Sequence, residues 1–480
     1  MFRPFLLTSF ASFFISTTAC SAETRPLQPE DAGLPPQSLK DRIAARKAQV
    51  EADTCFQTAP DDSVCDWGDF PYDPNEFSMA ENTGEAILII DDFPELPPRA
   101  IRYKNRLKGF YRADSGGGIS PVSFSWHAPV VLHETLSEFA SPDFIPAEWL
   151  RPLGAPVENV YVNYSFQGAG HGNYVFSALI ESNPHQPVVV LDQLKYSQFA
   201  LTEFCDTSGT SDSISRLRAR SQRVADSLRQ LMSAHNVRFV NVSAGESLET
   251  MRGRWAQSCG GATPSDSLLR KKLNAYEPIV DALYNTPGVF AAQASIDASN
   301  VQDNPFDFPL AKYPNRLLVG FFTSLESGLD ASGRGSSSLT GWPARQTVDL
   351  YLNSGVLPSR PFNYNATPLL QVNVFGVDIF PITRTTTSWI TPLALSRFIH
   401  LRYGDSRFSG HAMSNALIQN IREVMIPGGC SAQPNGRCAY QDPLKHGQIE
   451  AVRLGYRDTE YLEPLSQQST SSSRWMEHSQ

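Results

Sequence analysis

AILIID, residues 86–91, runs five apolar residues straight into a carboxylate. An unbroken apolar run of this length, without polar alternation, marks a strand buried on both faces, as in a parallel sheet covered by helices. Asp91 then falls at the carboxyl edge of the sheet, where open α/β folds hold their ligands. PVVVLD (187–192), VRFVNVS (237–243), GVFAAQAS (288–295) and RLLVGFF (316–322) read as strands in the same way. Between them, Ile214, Leu217, Val224, Leu228, Leu231 and Met232 recur at helical spacing from Ser213 to His235, and LLRKKLNAYEPIVDALYN (268–285) reads as helix. Strands alternating with helices predict an α/β fold, a mostly parallel central sheet with helices on both faces. Residues 93–160, with SGGG at 115–118, read as irregular. The chain has no internal repeat.

The composition narrows the function. The chain has 480 residues, 41% hydrophobic and 19% charged, with a net charge of −9. That content supports a large core, and the acidic balance excludes nucleic acid as the main partner. Beyond the N-terminus there is no apolar run of membrane-spanning length. MFRPFLLTSFASFFISTTACSAE opens with Arg3, an apolar stretch from Phe5 to Ser16 and small residues, the pattern of a secretory signal over residues 1–22. TTAC (17–20) also has the form of a bacterial lipobox, so two routes stay open: cleavage near Ala22, or membrane attachment through a lipidated Cys20. Residues 23–80 are Pro-rich and polar with one helical stretch, SLKDRIAARKAQVEA (38–52), and read as an N-terminal extension or propeptide-like region. Residues 457–480 read as a polar, disordered tail.

Seven cysteines fit an exported protein. Either processing route removes Cys20 from the pool, and proximity suggests Cys55–Cys65, Cys205–Cys259 and Cys430–Cys438 among fifteen connectivities. No CxxC occurs, and no second histidine or carboxylate lies four residues from His171, so no metal ligand set is assigned.

Two further stretches bear on chemistry. GAGHGNYVFSALI (168–180) sets His171 between glycines that allow close backbone approach, at the head of a helix. Its glycines do not make a phosphate loop, since the third glycine and the Lys-Ser/Thr end are absent. TTTSWITPLALSRFIHLRYG (385–404) puts Ser388 at a helix N-terminus, with Pro392 suited to a first helical turn and Gly404 to a C-terminal stop. Free N–H groups there favour a negative oxygen developing nearby. Each residue taken alone has an ordinary reading: a turn or cap aspartate, a core histidine, an N-cap serine. Together they supply the three types of hydrolytic serine chemistry, in which serine attacks, histidine takes the proton and aspartate orients the imidazole. The chain order Asp, His, Ser separates this set from those of chymotrypsin-like enzymes and α/β-hydrolases, and no GxSxG elbow is present.

In these stretches the chain resembles a divergent subtilisin-like serine protease, a subtilase of peptidase family S8. AILIID is similar to the family's strand ending in aspartate, with Asp92-Phe93 in place of Ser/Thr-Gly. HGNYVFSAL shares the leading His-Gly of HGTHVAG. TTSWITP is similar to GTSMATP at Thr387, Ser388, Thr391 and Pro392, with Thr386 in place of glycine. VNVSAG (240–245), KYPNRLLVG (312–320) and HGQIEAVRLG (446–455) follow three further family landmarks in order.

The resemblance implies a three-layer peptidase domain over 81–456 with insertions. It also implies an Asp91-His171-Ser388 triad and a substrate backbone paired along Ser243, Ala244 and Gly245. The family's oxyanion-hole asparagine is replaced by Ser295 in register, with Asn300 five residues on as the alternative donor. The 80 residues from Asp91 to His171 imply an inserted subdomain, and a second insertion falls around 356–380. The expected function is an exported serine endopeptidase, periplasmic, lipid-anchored at the outer membrane or secreted by a bacterium. It would act as a monomer on protein or peptide substrate and without an organic cofactor. Structural calcium, frequent in subtilases, has no identifiable ligands here. A catalytically weak or inactive relative that binds a peptide or partner protein is the alternative, motivated by the lost motif glycines and the lost asparagine.

Overall fold

A computed structural model describes residues 35–57, 64–80, 82–154, 156–157, 171–296, 300–307, 312–322, 348–353, 370–373, 375–380 and 387–426. Residues 1–34, the Cys430–Cys438 pair, the 446–455 landmark and the polar tail lie outside the described residues.

The strands in chain order are β1 (Trp67–Pro71), β2 (Ala86–Asp91), β3 (Leu107–Ala113), β4 (Ile119–Pro121), β5 (Ser125–Pro129), β6 (Val188–Asp192), β7 (Val237–Val242), β8 (Phe290–Ala294), β9 (Arg316–Phe322), β10 (Leu350–Asn353), β11 (Leu370–Asn373) and β12 (Gly376–Phe380). The main sheet has the order β10-β9-β8-β7-β2-β6-β3-β4. Its first seven strands are parallel, and only β4, at one edge, runs antiparallel. The α/β expectation with a mostly parallel sheet therefore holds.

The apolar runs explain the layering. Along β2, Ile87 and Ile89 enter one core and Ala86, Leu88 and Ile90 the other, and β6 divides Val188 and Val190 from Val189 and Leu191 likewise. A strand whose two faces are both covered has no use for polar alternation. The main helices are α1 (Gln37–Ala52), α2 (Val130–Glu138), α3 (Gly172–Ser182), α4 (Ser211–Ala234), α5 (Leu248–Ser258), α6 (Asp266–Asn274), α7 (Glu277–Tyr284), α8 (Thr387–Gly404) and α9 (Asn415–Met425). Helices α4 to α7 cover one face, whereas α3, α8, α9 and α1 share the core on the other. The helical reading of 268–285 resolves into two helices, α6 and α7, broken at Ala275-Tyr276.

Two findings depart from the sequence reading. The described residues between 93 and 157 are not irregular: they carry a buried 3₁₀ segment at Pro98–Arg106, then β3, β4, β5 and α2. β3 was hidden because LKGFYRA mixes charges into an otherwise buried strand. Second, Pro392 lies at the sixth residue of α8, beyond its first turn. Residues 35–57 and 64–80 pack on the body. β1 pairs antiparallel with β5, and Leu39, Ile43, Val50, Cys55 and Phe56 join the same core as α3 and α8.

Disulfides link Cys55 to Cys65 and Cys205 to Cys259, as proximity suggested. Among the described residues no helix is long and apolar enough to cross a membrane, and no cluster of three or more His, Cys, Asp or Glu forms a metal cage.

Candidate active site

The carboxyl ends of adjacent strands build the site. Asp91 closes β2 and is almost fully buried. Its Oδ1 accepts hydrogen bonds from the Asp92 N–H and from His171 Nδ1, each at 2.6 Å. An ionised carboxylate has no proton to give, so the histidine Nδ1–H is the donor and Nε2 becomes the basic nitrogen. His171 stands just ahead of α3, and the Gly172 N–H donates to the Asp92 carbonyl at 3.1 Å, which ties the start of the helix to the end of β2. A Cβ at 172 would lie 2.5 Å from the buried Phe93 ring, so a larger residue there would force the ring to move.

Burial pulls the His171 pKa down. The Asp91 hydrogen bond and the negative charges of Asp91 and Asp92 outweigh it, so the pKa rises above the ordinary 6.5. Asp92 itself is half-exposed and paired to Lys195 at 2.8 Å. Of the two adjacent aspartates, Asp91 faces the imidazole.

Ser388 occupies the first turn of α8. The Ser388 hydroxyl donates to the Ser243 carbonyl at 3.2 Å, and the Ser243 hydroxyl donates to the Ser388 carbonyl at 3.0 Å. The second contact explains the internal proline. In a regular helix the N–H of residue 392 would bond the carbonyl of 388, and Pro392 has no N–H. Ser243, just past β7, supplies the missing donor and pins the head of α8 to the sheet edge. Its hydroxyl is held in turn by Asn241 Nδ2 at 2.9 Å.

β7 neighbours β2, so the segment that pins Ser388 and the aspartate that orients His171 lie on the same sheet edge. Lower down, α3 and α8 are cross-linked where Ser396 Oγ meets Ser182 Oγ at 2.8 Å and Asn183 Nδ2 at 2.9 Å.

The candidate oxyanion residues are placed differently. Ser295 is buried, its N–H donates to the Val319 carbonyl, and its own carbonyl accepts from Thr387 Oγ1 at 2.9 Å, one residue before Ser388. Asn300 is exposed and caps its own turn: Oδ1 accepts from the Gln302 and Asp303 N–H groups, and Nδ2 donates to Asp303 Oδ2 at 2.7 Å. Ser243, Ala244 and Gly245 follow the end of β7, and Ser243 lies against the head of α8.

One structural carboxylate escaped the sequence reading. Asp192 ends β6 in register with Asp91. Its Oδ1 accepts from the Phe93 and Gln193 N–H groups, and its Oδ2 accepts from Arg112 Nε and Gln198 Nε2 at 2.9 Å each. It therefore fixes the turn that follows Asp91. The signal was present, because PVVVLD repeats the apolar-run-then-aspartate pattern of AILIID.

No family model matches the sequence, and no curated protein does. Among solved structures the chain is similar to sedolisin, a serine-carboxyl proteinase from Pseudomonas, complexed with two molecules of pseudo-iodotyrostatin. That match has 15% identity and a TM-score of 0.29, and covers 77% of this chain and 90% of that one. It is also similar to a psychrophilic protease designated S41, at 12% identity and a TM-score of 0.31, covering 77% and 98%. Likenesses this distant carry no statement about chemistry.

Proposed function

We propose that this protein is an exported serine endopeptidase of subtilisin-like type. The observation that carries the reading is the 2.6 Å Asp91–His171 contact on the sheet edge to which Ser243 pins Ser388. In this reading Ser388 Oγ attacks the scissile carbonyl while His171 Nε2 takes its proton. The resulting oxyanion lies at the positive end of α8, where the Ser295 hydroxyl replaces the missing asparagine amide as donor. The protonated His171 then gives its proton to the departing amine, and water hydrolyses the acyl-enzyme along the same path in reverse. The substrate backbone runs beside Ser243–Gly245 as an added strand. No organic cofactor enters these steps. The two disulfides support an oxidising compartment. Attachment through Cys20 is the lipid-anchored form of the same proposal.

One observation favours the second reading, a peptide-binding protein of the same fold that does not cut. A hydroxyl has a single proton, and Ser388 gives its proton to the Ser243 carbonyl. A fluorophosphonate probe separates the two. Labelling of the processed protein, lost in Ser388→Ala, establishes an activated nucleophile. A folded protein that stays unlabelled rules the peptidase out and makes the binding role the one to pursue.

A further inference from the structure

The loops that leave β7 and β8 lie next to each other, and both are fastened to the head of α8. Ser243 is bonded to Ser388, and the Ser295 carbonyl to Thr387. In the peptidase reading, the side chain on the acyl side of the attacked bond is placed beside these two loops. Ile296 follows Ser295 and is half-buried. It closes on Gly245 so tightly that a Cβ at 245 would lie 2.9 Å from Ile296 Cγ2 and 3.0 Å from Cδ1. A branched side chain thus occupies the space between the two loops, and glycine on the facing loop is the concession that lets it fit.

The space behind the loops is also small. A cavity of about 40 Å³ is walled by Ala244, Gly245, Glu246 and Gln293, with Tyr276 and Phe306 behind them. A water needs roughly 10–15 Å³ by this measure, so the cavity has room for only a small group of atoms. It offers no net charge, because Glu246 is paired to Arg254 at 2.5 Å.

We infer that Ile296, packed on Gly245, restricts the residue on the acyl side of the cleaved bond to a small side chain such as alanine or serine. This rests on the peptidase reading and adds the substrate class to it.

The test uses two peptidyl diphenylphosphonates that differ only in the residue bearing phosphorus, an alanine or a phenylalanine analogue, each competed against the fluorophosphonate probe. The wild-type protein is expected to react at least tenfold faster with the alanine analogue. Ile296→Ala is expected to move that ratio toward phenylalanine by about tenfold or more, and Ile296→Val by less. These sizes fit the 10–200-fold that a methylene is worth in an apolar pocket. Retained fluorophosphonate labelling in each variant shows that fold and nucleophile are intact. Gly245→Ala should slow both phosphonates, and Gly245→Ala combined with Ile296→Ala should recover reaction with the alanine analogue. The inference is overturned if the labelled wild type takes both phosphonates equally or neither, or if Ile296→Ala leaves the ratio unchanged. Failure of folded wild-type protein to take the fluorophosphonate at all is a different result, and it removes the peptidase reading itself.

Discussion

At the scale of single residues, the Asp91–His171 pair makes a directional claim. The buried carboxylate fixes the imidazole tautomer and holds the His171 pKa above 6.5, with Asp92 adding to the shift. Ser388 can be activated only by neutral His171. The fluorophosphonate labelling rate should therefore fall as pH drops, through a midpoint above 6.5. Asp92→Asn removes one of the charges that raise the pKa and leaves Lys195 unpaired nearby, so the midpoint should move down while the Asp91 contact survives. A wild-type midpoint below the ordinary value, or no movement in Asp92→Asn, would mean that these charges do not act on the base. Asp91→Asn keeps the shape but spoils the tautomer, and should cost about 10⁴ in labelling rate, the scale seen when the aspartate of a serine triad is so replaced.

The helices that carry these residues are aimed by a few local contacts, and those contacts can be tested. Gly172→Ala would drive a methyl into the Phe93 ring beneath the head of α3. Overpacking of this kind costs about 1–3 kcal/mol, and His171 should be displaced with the helix, so denaturant unfolding and labelling should both suffer. At the head of α8, Ser243→Ala strips the Ser388 carbonyl of its donor, for about 1–3 kcal/mol. Pro392→Ala returns an N–H to the same carbonyl. The two changes should therefore be less than additive, with Pro392→Ala recovering part of the loss when combined with Ser243→Ala. Additive unfolding free energies would show that the proline and the serine do not share that acceptor.

Part of this arrangement was legible in the sequence. AILIID, VRFVNVS and RLLVGFF declared themselves because a doubly covered strand must be apolar throughout, and Asp91, His171 and Ser388 could be picked out because each stands where an element begins or ends. The pinning of α8 by Ser243 could not be read, because the partners are 145 residues apart and each residue is ordinary in its own neighbourhood. β3 stayed hidden for a similar reason: its burial is set by the cores on its two faces, which take Leu107 and Phe110 on one side and Ala113 on the other, not by its own mixed composition.

For the whole molecule the open matter is the N-terminal region, which the sequence left as either an extension or a removable propeptide. An inhibitory propeptide has to leave without taking the core with it. Residues 35–57 and 64–80 share that core. α1 contributes Leu39, Ile43 and Val50 to the core that also holds Val175 and Phe176 of α3 and Phe398 of α8. Arg46 is paired to Glu138 of α2 at 2.5 Å, the Cys55–Cys65 bridge fastens the segment to itself, and β1 forms a two-stranded sheet with β5. Stripping the segment would take Leu39, Ile43, Val50, Cys55 and Phe56 out of that cluster. Fully burying each such side chain is worth about 1.5–3 kcal/mol, so several lost together rival the roughly 5–15 kcal/mol by which a domain is stable at all. Deletion of residues 1–80 should therefore give protein that aggregates or fails to label, not an activated enzyme. Intact mass measurement of the fluorophosphonate-labelled species from the natural export route should find a chain that still contains Gln37–Ala52. A labelled, soluble species that begins after residue 80 would mean that the segment is released after all, and that the packing of α1 against the α3 side of the sheet belongs to the precursor.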